Sequence, residues 1–317
     1  MNTFNPTLFS REISTLLKGI AITLVLASHC ADPFFRYFTP FGGIGVAIFL
    51  FFSGYGLTYS FYSSGIQHYW PKRILSVFVP YFILQLITLP LHPYHSFVSF
   101  LLDISLILPR MPMGWFLQYL LVWYIVFWVA ARLSLSKLTR TYVLGICSFV
   151  LLFVSIYTKQ HIWFEQSFSF FLGYLACTYN LETFFLPKRI PLAVGIGIVC
   201  LGCKQIPCIR ALPAITWCLD LFIKISSMWG IISFIKYPGL VYQIPRYIFY
   251  ALGVISFEIY LIQAYMCGLF QLPIPKGISV ILIVLGTLPL AFIFYKVNSW
   301  IKKRFITTCQ HLNVTYK

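Results

Sequence analysis

REISTLLKGIAITLVLASH, residues 11–29, is an apolar segment of helical length that carries two internal bases and ends on a histidine. An ionisable group inside a membrane segment is costly and is by default a functional-site hypothesis. Lys18 and His29 are eleven steps apart, which leaves only about 20° between them on a helix. Arg11 and Lys18 are seven apart, again about 20° but in the opposite sense. All three therefore share a face if the helix extends back to Arg11. The rise from Lys18 to His29 is roughly 16 Å, about half of a hydrocarbon core. One stripe thus runs from a basic membrane surface to a buried imidazole.

The rest of the chain agrees with a membrane setting. Of 317 residues, 60% are hydrophobic and 9% charged, and the mean hydropathy is +0.85. Soluble domains carry about a quarter charged residues. The expectation is an all-α integral membrane protein, a single polytopic domain over residues 1–317 with no separate soluble part. No small-residue cleavage site follows the first apolar stretch, so a removable signal peptide is not expected. Apolar stretches read as helices at 13–30, 42–62, 74–91, 114–132, 141–157, 163–180, 188–203, 211–235, 246–271 and 276–299. That makes a bundle of about ten transmembrane helices. Segment 96–109, which contains Asp103, is too short to span and reads as an interfacial or re-entrant piece.

Charge orients the bundle. Arg11, Lys18, Lys72, Arg73, Arg132, Lys137, Arg140, Lys188, Arg189, Lys236, Arg246, Lys302, Lys303 and Arg304 fall on one side. Arg36, Arg110, Lys159, Lys204, Arg210 and Lys276 fall on the other. The positive-inside rule then puts both termini in the cytoplasm. Trp70, Trp115, Trp163 and Trp300 lie near expected helix ends, as an aromatic belt requires. The formal net charge of +16 fits positive-inside anchoring, or bases that hold an anionic substrate such as a nucleotide phosphate. Nucleic-acid binding is excluded, because the bases sit in short loops between spans. Nine cysteines lie mostly in apolar stretches, where Cys acts as a small hydrophobe. Cys200 and Cys203 form a CxxC without a second ligand pair, so no metal is expected. Cys203 and Cys208 could form a disulfide if their loop faces an oxidising compartment. No repeat of fixed period occurs.

Four blocks, in order, resemble the membrane-bound acyltransferase type 3 family. The first is Arg11…Leu17-Lys18-Gly19-Ile20-Ala21…His29, a base followed by ten residues and a histidine. The second is the glycine- and phenylalanine-rich run from Gly42 to Tyr55, closing on Ser53-Gly54-Tyr55. The third is Trp70-Pro71-Lys72-Arg73-Ile74…Pro80-Tyr81. The fourth is Ser256-Phe257-Glu258-Ile259-Tyr260-Leu261-Ile262-Gln263. Gly114-Trp115-Phe116-Leu117 and Phe171-Leu172-Gly173 are similar to further family elements. Three departures from the pattern stand out. Ile13, Ser14 and Thr15 stand where an acid is usual, Ser76 where a second arginine often follows, and Gln263 where the family has a late histidine.

The resemblance implies acyl transfer, usually acetyl, from cytoplasmic acyl-CoA as the donor substrate to a hydroxyl of an envelope glycan. Acceptors would be O-antigen, capsule or exopolysaccharide units, free or lipid-linked, handled by an enzyme of the bacterial inner membrane. No tightly bound cofactor is expected. Such a reaction needs a base for the alcohol proton and stabilisation for the tetrahedral oxyanion. His29 suits the base, since burial disfavours the charged imidazolium; its bland reading is a helix-packing histidine. Arg11, Lys18, Lys72 and Arg73 are candidate ligands of the donor phosphates, or else snorkelling anchors. Ser53 and Trp115 are candidates for substrate contact, against a small-residue helix contact and a belt position. Glu258 could orient His29 or an arginine or bind a sugar hydroxyl, or else close a salt bridge. Asp32 and Arg36 follow His29 and could touch acceptor. The rival classes are a secondary transporter or glycan flippase, and a structural subunit of a glycan-assembly complex. Neither needs the Lys18–His29 spacing.

Overall fold

A computed structural model describes residues 9–35, 38–91, 93–133, 135–235 and 246–311. Arg36 and Lys236 lie outside them. The described residues are mostly helical, with no strand among them. The helices are α1 (Arg11–Ala31), α2 (Thr39–Ser64), α3 (Tyr69–Arg73), α4 (Val79–Thr88), α5 (Phe97–Ile104), α6 (Trp115–Arg132), α7 (Lys137–Tyr157) and α8 (His161–Gln166). They continue with α9 (Ser169–Thr178), α10 (Ile190–Gln205), α11 (Pro207–Arg210), α12 (Pro213–Ile235), α13 (Arg246–Val254), α14 (Ser256–Met266) and α15 (Lys276–His311).

Among the described residues, six helices are long and apolar enough to cross a membrane: α1, α2, α6, α7, α12 and α15. A seventh is counted if Arg246–Val254 and Ser256–Gln271, bent by 74°, form one span. The expected ten differ from this because several apolar stretches are interrupted. Stretch 74–91 contains a π-helical turn, Ile74–Phe78, between α3 and α4. Stretch 163–180 breaks between α8 and α9, and stretch 188–203 yields the 16-residue α10. Segment 96–109 gives the eight-residue α5, opened by a capping box in which Ser96 and Ser99 satisfy each other's amides.

The chain divides into two compact units, one of Met1–Gly65 with Trp123–Val254 and one of Ile66–Val122 with Ile255–Lys317. In the first, α1 starts on the Ser10 cap, whose hydroxyl accepts from the Ile13 amide at 3.2 Å. It ends at Ala31, just before Asp32-Pro33. α2 is apolar on every face and buried along most of its length, as a central helix must be. Two reciprocal glycine pairs seat it and its neighbours. A Cβ at Gly19 of α1 would stand 1.7 Å from the Phe249 carbonyl oxygen of α13, and one at Gly253 of α13 would stand 1.9 Å from that of Thr15. Gly54 of α2 and Gly173 of α9 face each other's helices in the same manner, at 2.1 Å from Phe170 O and 1.9 Å from Phe51 O. Backbones approach this closely only where side chains are absent. Phe9 closes the core edge-on against Phe51, Phe52, Tyr55 and Phe185.

The second unit is built around hydroxyls and carbonyls as well as apolar contact. Asp103 of α5 is completely buried. It accepts from the Tyr81 hydroxyl at 2.5 Å, the Arg110 amide at 2.7 Å and the Tyr94 hydroxyl. The Arg110 guanidinium lies 4.3 Å over the Tyr94 ring. Tyr260 of α14 donates to the Met113 carbonyl, and Tyr265 donates to Gln85 Oε1 at 2.7 Å.

Candidate functional site

α1 is unbroken from Arg11 to Ala31, so the shared face expected for Arg11, Lys18 and His29 holds. Arg11 is exposed, and Lys18 and His29 are half-buried. The His29 Nδ1 atom itself is buried and has no hydrogen-bond partner among the described residues. Asp32, one turn on, is exposed and accepts from the Thr39 hydroxyl at 2.7 Å. Glu12 pairs with Arg246 at 2.7 Å, which ties the start of α1 to α13.

The α1–α2 corner beside His29 is firmly held. Ser28 donates to the Thr39 carbonyl at 3.0 Å. Gln166 of α8 donates to the Gly43 carbonyl at 2.9 Å, and Lys224 of α12 donates to the Pro40 carbonyl at 3.2 Å. Ser53 lies three turns further along α2, half-buried.

Behind that corner is a charge cluster that sequence reasoning missed. Lys224 is 4% exposed, Asp220 7% and Glu165 9%. Lys224 Nζ is 3.4 Å from Glu165, and Lys204 Nζ is 2.5 Å from Asp220. His161 Nε2 lies 3.1 Å from Glu165 and 3.3 Å from Asp220, with its ring against Trp217. One ligand atom each from His161, Glu165 and Asp220 fall within 4.8 Å of one another, a spacing a metal ion could use. The two ammonium groups already stand where such an ion's charge would be, so the donor set fits an ion-pair network better than a metal centre. The signal was present in the sequence: Asp220 and Lys224 stand one turn apart inside an apolar helix. Cys203 and Cys208 are free thiols.

The remaining candidates belong to the second unit. Glu258 is 4% exposed and accepts from Asn298 Nδ2 at 3.2 Å, and Lys302 is its cationic neighbour. Glu258 is not alone as a buried acid, since Asp103 is buried more deeply. Lys72 is exposed on α3, and the Arg73 guanidinium stands 5.6 Å from the Tyr69 ring centroid. Trp115 is half-buried at the start of α6, edge-on to Phe116 at 6.2 Å. Gln263 is fully buried on α14, and neither amide atom has a partner among the described residues.

The family model of the acyltransferase domain named for acyltransferase type 3 matches residues 13–296, nearly the whole chain. Neither the curated proteins nor the solved structures hold a match.

Proposed function

The chain belongs to the acyltransferase type 3 family, which makes it a membrane acyltransferase, and we propose that it is an O-acetyltransferase acting on an envelope glycan. Both termini lie in the cytoplasm on this reading, and acetyl-CoA is the donor. Its phosphates rest on bases of the cytoplasmic face, with Arg11 and Lys18 on α1 and Lys72 and Arg73 as further ligands. The thioester reaches along the α1 stripe towards His29. The acceptor hydroxyl approaches the same imidazole, with Ser53 and Trp115 as substrate contacts.

His29 takes the hydroxyl proton as the oxygen attacks the thioester carbonyl. The tetrahedral oxyanion collapses, the C–S bond breaks, and the imidazolium returns its proton to the departing thiolate. The products are the glycan ester and free CoA. Direct transfer needs no acyl-enzyme. Glu258, with Asn298 and Lys302 around it, has the weaker claim to a catalytic part.

The observation that carries the proposal is the unbroken helix with Arg11, Lys18 and His29 on one face and a partnerless Nδ1 at its far end. The test is transfer of label from radioactive acetyl-CoA to a total envelope-glycan extract by membranes holding wild type or His29→Ala. The expected result is labelled glycan with wild type and a loss of about 10²–10⁴-fold in the variant, the usual worth of a positioned base. Equal labelling would remove His29 from the mechanism. The transporter reading draws on the bent α13–α14 pair, since discontinuous helices mark transport sites. It predicts glycan movement across vesicles without acetyl-CoA.

A further inference from the structure

Three tethers converge on one short stretch of backbone. Thr39, Pro40 and Gly43 form the first turn of α2, and each of their carbonyls receives a hydrogen bond from a different helix: Ser28 of α1, Lys224 of α12 and Gln166 of α8. Gln166 is itself fixed by Ser169, which donates to its Oε1 at 3.1 Å. Lys224 reaches Pro40 because Gly43 is bare: a Cβ there would lie 2.5 Å from Lys224 Cε. Gly42 leaves room in the same way for Ser28, whose hydroxyl would be 2.9 Å from its Cβ. His29 sits between two of the joined residues, Ser28 and Asp32, both tied to Thr39.

A catalytic imidazole is normally aimed by a hydrogen bond to its second nitrogen. His29 Nδ1 has no such partner among the described residues. Its aim is therefore set by the backbone frame that carries it. Resting on the reading of His29 as the base, we infer that Lys224, held by Glu165 at 3.4 Å, is a positioning residue for acyl transfer: it clamps the first turn of α2 and through it the His29 end of α1. The buried charge cluster is then part of the site's support rather than an incidental ion pair, and Lys224 does not touch the reacting atoms.

The test compares wild type with Lys224→Met/Glu165→Gln, which removes both charges together, and with Ser28→Ala, which cuts a second tether without a charge change. The full chain is used in membranes, with acetyl-CoA and the envelope-glycan extract. Both variants are expected to lose at least tenfold in kcat while KM for acetyl-CoA stays within twofold. Wild-type kcat in folded variants, or a loss confined to KM, overturns the inference. A second readout separates it from the proposed reaction. Carbethoxylation of His29 by diethyl pyrocarbonate, followed by mass spectrometry of its peptide, needs no turnover. A severalfold change in that rate in both variants is the expected result, and an unchanged rate overturns the clamp even where no acyl transfer is detected.

Discussion

Lys224 and Gln263 are both buried polar side chains on apolar helices, yet their surroundings differ. Lys224, in the first unit, has a carboxylate and a carbonyl within reach and belongs to a network of two acids, two lysines and a histidine. Gln263, in the second unit, has no partner for either end of its amide among the described residues, and the Thr287 hydroxyl is in the same position. The first unit pairs Lys224 and Asp220 with opposite charges and welds its helices through glycines. The second buries Asp103 under tyrosine hydroxyls and leaves the Gln263 amide without a partner among the described residues. Unpaired buried polar atoms are costly inside a bundle. The contrast is between these two side chains, since each unit holds buried polar atoms without a partner among the described residues, His29 Nδ1 and Ser233 Oγ in the first and Thr287 Oγ1 in the second.

Four substitutions sharpen or break the contrast, each read as thermal unfolding of purified protein in detergent. Lys224→Ala leaves Glu165 as a buried charge short of its ammonium, and should cost about 3–5 kcal/mol. A loss below about 1 kcal/mol would mean that water already reaches the pair. Gly173→Ala should cost about 1–3 kcal/mol or more, because its methyl meets the Phe51 carbonyl 1.9 Å away. Gln263→Leu should go the other way and stabilise by about 1 kcal/mol, since it removes an amide with nothing to bond. A fall in stability there would show that the amide serves a group bound in the second unit. Gly56→Ala is the small control. Nothing lies within 4 Å of its Cβ, so the gain should be the helix-propensity difference of roughly 0.5–1 kcal/mol.

Much of the first unit could be read from the chain alone. α1 follows from a period of 3.6, a serine cap and a proline stop, all local features. Glycines in an apolar helix mark close contacts in sequence, and Gly54 of the second block is one, though Gly56 just beyond it faces open space. Pairing was not legible. Asp220 and Lys224 are conspicuous in sequence, but their partners Lys204 and Glu165 come from other helices. Glu258 finds Asn298 forty residues away. Such choices depend on helix packing, which no local pattern encodes. Segment 96–109 reads as interfacial or re-entrant because it is short, but the enclosure of Asp103 by Tyr81, Tyr94 and the Arg110 amide depends on packing that its sequence does not show. Helix continuity was the other gap. A π-turn at Ile74–Phe78 and the bend between α13 and α14 interrupt stretches whose hydropathy runs on without a break.

The reciprocal glycine pairs also fix a position. α1 cannot slide or turn against α13 without driving the Phe249 and Thr15 carbonyls into backbone. The rise from Lys18 to His29, set by the continuous α1, is thereby also held in a fixed place against α13. On the proposed reading, a donor whose phosphates rest at one end always presents its thioester at the same depth. Acyl chains of different size would then share one attack point and differ only in what lies beyond it. Chain-length preference in this protein would thus be a matter of side-chain volume past the histidine, open to change by single substitutions, while the glycine contacts that hold α1 tolerate no added methyl.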